Sequence, residues 1–118
     1  MARHHATFST RSSKRAAEIF VDRLRDRYDV ERAILFGSRA RGDHRPDSDV
    51  DLAIVLRGER QDFIGTKLDM AGIAFDVMLE TGLLVQAFPI WGDDLAHPER
   101  FANPTLIRAI ASEGIGVA

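Results

Sequence analysis

The sequence has no cysteine and no long apolar run. The absence of cysteine among 118 residues excludes a disulfide framework, a Cys-based zinc site and a thiolate nucleophile. The longest apolar run, Leu52 to Leu56, has five residues, whereas a membrane span needs about 20. The first residues, Met1 to Ser13, are polar and lack the apolar core of a signal peptide. These absences predict a cytoplasmic protein with no membrane association.

The chain also has no surplus of basic residues. It carries 16 Lys and Arg against 18 Asp and Glu, a net charge of −2. A general nucleic-acid binder shows a basic footprint, so we expect no direct nucleic-acid binding. With 45% hydrophobic and 29% charged residues, the composition is typical of one small globular domain, and the length excludes a large multi-lobed enzyme.

Hydrophobic periodicity predicts one α/β domain over residues 13–118, preceded by a flexible tail over residues 1–12. A helix is predicted to begin at an N-cap, Ser12 or Ser13, and to end near Tyr28. Pro89 restricts the strand before it to a sheet edge or a strand end. The remaining predicted elements are strands over 33–36, 50–56, 73–79 and 83–88, and helices over 62–72 and from Asn103-Pro104 to Gly114.

A glycine and a serine follow the first predicted strand directly. Gly37 lets the backbone turn sharply and approach a ligand closely. If Ser38 caps a short helical turn, its hydroxyl and the adjacent N–H groups form a cradle for phosphate oxygens. Arg39 and Arg41 can add positive charge to this cradle.

Two aspartates, Asp49 and Asp51, open the second predicted strand. Residues two apart on a strand share a face, with backbones about 6–7 Å apart. Two adjacent carboxylates repel each other unless a cation lies between them, and Mg²⁺ typically takes one or two carboxylates together with substrate phosphates. The pair therefore predicts a divalent metal site.

A two-ion phosphoryl-transfer centre needs a third carboxylate, and Asp76 is the best candidate. It interrupts an apolar segment, 73–79, where an unpaired charge inside a strand is costly. If this strand neighbours the one that carries Asp49 and Asp51, the three carboxylates converge. Glu80 and Asp69 are weaker candidates. Each feature alone also has an ordinary structural explanation, a turn, a capped loop or an ion pair, but their conjunction is specific.

This conjunction resembles a known signature. Gly37-Ser38, then ten residues, then Asp49-x-Asp51 resembles the motif of the DNA polymerase β-like nucleotidyltransferase superfamily. The pair of segments Gly-Ser-Arg-Ala-Arg-Gly and Asp-Ser-Asp-Val-Asp-Leu resembles the sequences of the minimal nucleotidyltransferases, which are single small domains. The resemblance extends from the first helix to Glu113-Gly114 and implies a polymerase β-like α/β (α+β) fold, with a mixed sheet of about four strands flanked by helices.

The resemblance also implies an activity. The enzyme would hold two Mg²⁺ ions and transfer AMP from ATP to a hydroxyl acceptor, with pyrophosphate as the leaving group. The third acid would help ligate the catalytic ion and act as base or orienter for the attacking hydroxyl. The implied site residues are Asp49, Asp51 and Asp76 as catalytic metal ligands, and Gly37, Ser38, Arg39 and Arg41 as phosphate-binding groups.

Many minimal nucleotidyltransferases resemble antitoxins that adenylylate a tyrosine of a HEPN-domain ribonuclease toxin and bind it. The resemblance therefore implies a cognate HEPN-type toxin as partner, in a hetero-oligomer. We expect no second domain of the kind found in enzymes that modify aminoglycosides or RNA ends, so a protein acceptor is favoured over those substrates. An alternative hypothesis is a non-catalytic binding module that neutralises its toxin by complex formation alone.

Overall fold

The computed structural model describes the backbone of residues 2–118 and the side chains of residues 12–118. The helices are α1 (Ala2–Leu24), α2 (Ser38–Arg41), α3 (Phe63–Thr81) and α4 (Pro104–Glu113), and the strands are β1 (Val30–Phe36), β2 (Val50–Leu56), β3 (Val85–Trp91) and β4 (Ile115–Gly116). Two single-turn 3-10 helices, Asp94–Ala96 and Pro98–Arg100, connect β3 to α4. Within this part of the chain, no helix is long and apolar enough to cross a bilayer.

The four strands form one mixed sheet in the order β3-β2-β1-β4. Strand β1 pairs antiparallel with β2 and with β4, whereas β2 and β3 are parallel and are connected by α3. Parallel neighbours need such a crossover. The predicted mixed sheet of about four strands flanked by helices is confirmed. Strand β3 lies at an edge, as Pro89 predicted, because proline has no N–H to donate to a second neighbour.

The two faces of the sheet carry different helices. Leu52 and Ile54 of β2 belong to a buried cluster with α1 and α3, whereas Ala53 and Val55 belong to a second cluster with α4. Side chains alternate along a strand, so Asp51 emerges on the α4 face. Asp51, at this end of β2, is only half-buried, so its carboxylate is accessible to solvent.

The predicted strand over residues 73–79 is wrong, because these residues belong to the continuous helix α3. The side of α3 that faces solvent is also largely apolar. The apolar residues of the segment 73–79 therefore fit both the two-residue period of a strand and the 3.6-residue period of a helix. Packing of one helical face on the core decides between them. Gly82, with a left-handed φ of 80°, ends the helix. The buried residues, spaced four, four and three apart, are Thr66, Met70, Ala74 and Val77.

Other element boundaries differ in detail. Helix α1 begins at Ala2 and ends at Leu24, so it starts before the predicted N-cap serines and ends before Tyr28. The flexible tail over residues 1–12 stays a prediction, because the side chains of residues 1–11 are not among the described ones. The predicted start of α4 is confirmed, since the Asn103 side chain accepts a hydrogen bond of 3.2 Å from the N–H of Leu106. Strand β4 was not predicted, because two residues carry no periodic signal.

Polar contacts tie α1 and the turn after it to α3. The Tyr28 hydroxyl donates a hydrogen bond to Asp69, and Arg27 forms an ion pair of 3.1 Å with the same carboxylate. Burial, together with Asp69, raises the pKa of Tyr28 to about 12. Arg23 forms an ion pair with Glu80. The two weaker candidates for a third carboxylate are thus paired with cations on the α1 side of the molecule.

Candidate functional site

The turn after β1 brings the backbone against Asp51. Gly37 has φ 73° and serves as the N-cap of α2, so Ser38 is the first helical residue and not the cap that the sequence suggested. A Cβ atom on Gly37 would collide with the Asp51 carboxylate. Glycine is required here both for the positive φ and for this close approach. The glycine turn and the Asp-x-Asp segment therefore form one site.

The two aspartates lie at the start of β2, on the open end of the α4 face. Asp51 is half-buried and Asp49 is exposed. Burial raises the pKa of Asp51 above its ordinary value, and the negative charge of Asp49 raises it further. The positive charges of Arg39 and Arg41 act in the opposite direction without cancelling this effect. The net electrostatic environment of Asp51 thus disfavours its charged form and favours an additional cation.

The two arginines that were predicted to bind phosphate, Arg39 and Arg41, have different surroundings. Arg39 is 97% buried, since its relative exposure is 3%. Its guanidinium donates to the Ser48 carbonyl at 2.9 Å, to the Ser13 hydroxyl at 2.8 Å and to the Pro46 carbonyl at 3.0 Å. Arg39 therefore links the loop between α2 and β2 to α1, and three of its N–H donors are engaged within the protein.

Arg41 is exposed and lies 3.4 Å from the Asp43 carboxylate. Surface ion pairs of this kind are weak and easily exchanged. Of the two predicted phosphate-binding arginines, Arg41 is the one whose guanidinium is accessible to a ligand.

The position beside the aspartates on β3 is occupied by Gln86. Gln86 pairs in register with Asp51, and its amide donates a hydrogen bond of 3.1 Å to Asp49 Oδ2. Sequence reasoning missed this residue because it placed the neighbouring strand at 73–79. The signal was available in Val85 to Trp91, where Gln86 is the single polar residue.

Asp76 does not join the other two aspartates. It is exposed on α3, and α3 packs on the sheet face of Leu52 and Ile54, opposite to the face of Asp51. The premise that it lies on a neighbouring strand is wrong. Among the described residues, no group of three or more His, Cys, Asp or Glu side chains could hold a metal ion.

The donors that are present suit one hard divalent cation. Asp49 and Asp51 offer carboxylate oxygens, which Mg²⁺ prefers, and Mg²⁺ commonly completes its shell with water and substrate phosphate. At Gly37 the absence of a Cβ lets the Asp51 carboxylate lie directly against the backbone of the turn. The described residues therefore fit one such ion better than a pair of ions held by three carboxylates.

A cavity of about 280 Å³ lies beyond Gln86 along β3, on the sheet face that carries Asp51. The Phe88 ring, two residues after Gln86, is 5.3 Å from the Phe63 ring and 6.5 Å from the Phe101 ring, measured between centroids. The Arg60 guanidinium lies 5.2 Å from the Phe101 centroid. The cavity is therefore aromatic and cationic, and its Phe88 lies two residues beyond Gln86 on the same face of β3.

The fold is that of a nucleotidyltransferase domain. The family model described as "Nucleotidyltransferase domain" matches residues 17–109, so the chain belongs to this family. No protein of curated function matches the sequence.

Two solved structures are similar to the chain. A protein from Sulfolobus solfataricus, whose assignment as a nucleotidyltransferase is itself provisional, superposes with a TM-score of 0.61 at 20% identity, over 94% of this chain and 84% of that one. The CdnC:HORMA-deltaN complex of E. coli MS115-1 matches with a TM-score of 0.49 at 21% identity, over 74% of this chain and 35% of that one. At this identity the first match supports the fold alone, and the second adds nothing to it.

Proposed function

We propose that this chain transfers AMP from ATP to a hydroxyl acceptor. The observation that carries the proposal is the contact between the Gly37 turn and Asp51, which puts a glycine turn and a carboxylate pair on one open surface. Such a surface suits a nucleoside triphosphate, because its phosphates need close backbone approach and charge neutralisation. Membership of the nucleotidyltransferase domain family supports the same reaction class.

The order of the strands suggests a direction for the reaction. Gly37 and Ser38 follow β1, the aspartates are on β2, and Gln86 is on β3, in adjacent positions across the sheet. With the β- and γ-phosphates at Gly37 and Ser38, pyrophosphate leaves toward β1. An in-line displacement then requires the hydroxyl to approach from the β3 side.

In this reaction the acceptor oxygen forms a bond to the α-phosphorus while the bond from phosphorus to the pyrophosphate oxygen breaks. A divalent ion bound by Asp49 and Asp51 would neutralise charge on the transferring group. Arg41 adds charge near the departing pyrophosphate. The hydroxyl proton passes to solvent, because Gln86 is an amide and takes no proton at the position where a third carboxylate would act.

The aromatic cavity on the β3 side is the proposed entrance for the acceptor. Phe88 and Phe101 can hold a flat ring, and Arg60 favours acidic groups beside it. A tyrosine of a partner protein has this chemistry, so the acceptor that we propose is a tyrosine of a cognate HEPN-type ribonuclease toxin. The chain would then act as an antitoxin within a hetero-oligomer.

A second candidate function is neutralisation by binding alone. The observation that favours it is the pairing of Asp51 with Gln86 in place of a carboxylate. Asp76, on the other face of the sheet, is not in a position to compensate. An amide at this position would weaken metal binding and leave the hydroxyl without a base.

The deciding experiment is incubation of the chain with ATP, Mg²⁺ and the product of the adjacent gene, followed by intact-mass measurement. An AMP-sized addition to the partner is expected, and it should disappear in the double variant Asp49→Asn/Asp51→Asn. The matched control is Asp76→Asn, which removes an aspartate on the opposite face and should leave the addition intact.

Two other outcomes would change the conclusion. A stable complex without any adduct would support the binding module. Loss of the adduct in Asp76→Asn, with the variant folded, would mean that Asp76 is a catalytic carboxylate although it lies on the opposite face of the sheet.

A further inference from the structure

Helix α3 exposes an apolar stripe on the side that faces away from the sheet. Four large side chains are more than half exposed: Ile64 at 63%, Leu68 at 69%, Phe75 at 52% and Leu79 at 69%. They follow one another at spacings of four, seven and four, so they lie on one face of the helix. Ala71 and Gly72, also exposed, fill the middle of this face. We call these six residues the α3 stripe.

The α3 stripe is symmetric about its own centre. Ile64 and Leu79 are equally distant from the midpoint between Ala71 and Gly72. Leu68 and Phe75 are equally distant from it as well. When a helix pairs antiparallel with a copy of itself across a two-fold axis, each residue meets the one at the same distance on the other side of the centre. The stripe therefore has the self-complementary pattern that an isologous interface requires.

From this symmetry we propose that two copies of the chain form a dimer by packing their α3 helices antiparallel along the α3 stripe. Leu68 of one copy packs against Phe75 of the other, and Ile64 packs against Leu79. The small residues Ala71 and Gly72 lie at the two-fold axis, where they allow the helices to approach closely.

The exposed area is close to what a specific interface needs. With about 200 Å², from the range for aromatic side chains, as an upper value for one side chain, the four large residues expose at most on the order of 500 Å² per copy. A pair would bury on the order of 1,000 Å², near the lower bound of specific interfaces. An apolar patch of this size on a small domain commonly marks an interaction surface.

The dimer is compatible with the site on the other face. Helix α3 covers the sheet face of Leu52 and Ile54, whereas Asp49 and Asp51 open on the α4 face. Pairing through the outer side of α3 leaves the carboxylates and the aromatic cavity free for nucleotide and partner. The dimer does not depend on the proposed function, and either can hold without the other.

The absence of cysteine makes a direct test available. In Ala71→Cys the two thiols meet across the axis, where antiparallel packing of close helices brings equivalent Cα atoms within the about 4.4–6.8 Å that a disulfide spans. Mild oxidation should therefore give a covalent dimer on a non-reducing gel. The matched control is Asp76→Cys on the same helix, whose equivalent positions lie about 13 Å apart along the axis and should not cross-link.

A second arm measures the oligomeric state by sedimentation equilibrium of the uncross-linked chain. Leu68→Asp should raise the dimer dissociation constant by about 100-fold, because two charges enter an apolar interface. The control is Ile115→Asp, which places the same charge on a large exposed apolar residue outside α3 and should leave the dimer intact. Circular dichroism checks that each variant is folded.

Three results would overturn the proposal. The first is a wild-type chain that remains monomeric at high micromolar concentration, which would mean that the α3 stripe does not bind a second copy. The second is cross-linking of Asp76→Cys as readily as of Ala71→Cys. The third is a dimer that survives Leu68→Asp unchanged. If the Leu68 variant fails to fold, the two cysteine variants still decide the question, since their substitutions are small and exposed.

Discussion

Replacing Asp51 with asparagine should make the metal-free protein more stable. Two unit charges about 6.5 Å apart repel each other by about 2.5 kcal/mol at an effective dielectric constant of about 20. Asp49 is exposed, and solvent and salt reduce this energy, so about 1 kcal/mol is a reasonable net gain. For a domain of this size the gain corresponds to a rise in Tm of about 4 °C.

The pH dependence of this effect has a definite sign. The folded-state pKa of Asp51 is raised, so the folded protein binds a proton more readily than the unfolded chain does. Its contribution to stability is fully present below the unfolded pKa, near 3.9, and is lost as the pH rises through the higher folded pKa. The stability advantage of Asp51→Asn should therefore be largest at neutral pH and should vanish under acid conditions.

The assay is thermal unfolding by circular dichroism in chelator-treated buffer, repeated with Mg²⁺ or Mn²⁺. The wild type should gain stability on metal addition, because ligand binding to the folded state shifts the equilibrium, and Asp51→Asn should gain little. The exposed Asp26, changed to asparagine, is the control and should show neither effect. A lower Tm for Asp51→Asn than for the wild type in metal-free neutral buffer would refute the electrostatic reasoning.

Three further predictions concern the same structure. Gln86→Glu places a third carboxylate beside Asp49 and Asp51, so it should tighten Mn²⁺ binding about tenfold by titration calorimetry and lower the Tm without metal; unchanged affinity would mean that Gln86 does not face the ion. Arg39→Ala removes three hydrogen bonds from a buried guanidinium and should cost about 3 kcal/mol in chemical unfolding, whereas a cost within experimental error would contradict its role in fastening the loop. Tyr28 is the single tyrosine, so absorbance near 295 nm should report one transition with a pKa of about 12, and Asp69→Asn should lower it; an ordinary pKa near 10 in the wild type would show that the hydroxyl does not contact Asp69.

Several features of the site follow from local sequence. The glycine turn after β1 and the pair Asp49-x-Asp51 at the start of β2 were predictable, because side-chain alternation along a strand operates within a few residues. The N-cap of α4 was equally local, since Asn103 satisfies an N–H only three residues away. The resemblance to nucleotidyltransferases rests on the same short segment and its spacing, and the family model over residues 17–109 confirms the family.

The third position of the site depended on tertiary packing. Residues 73–79 are compatible with both a strand and a helix, because the outer side of α3 is apolar as well as the inner side. Only the packing of Met70, Ala74 and Val77 against the sheet makes this segment a helix. That choice moves Asp76 to the opposite face of the sheet and makes Val85–Trp91 the parallel neighbour of β2. Strand register then sets Gln86 beside Asp51, and register between distant segments is decided by packing that no local pattern encodes.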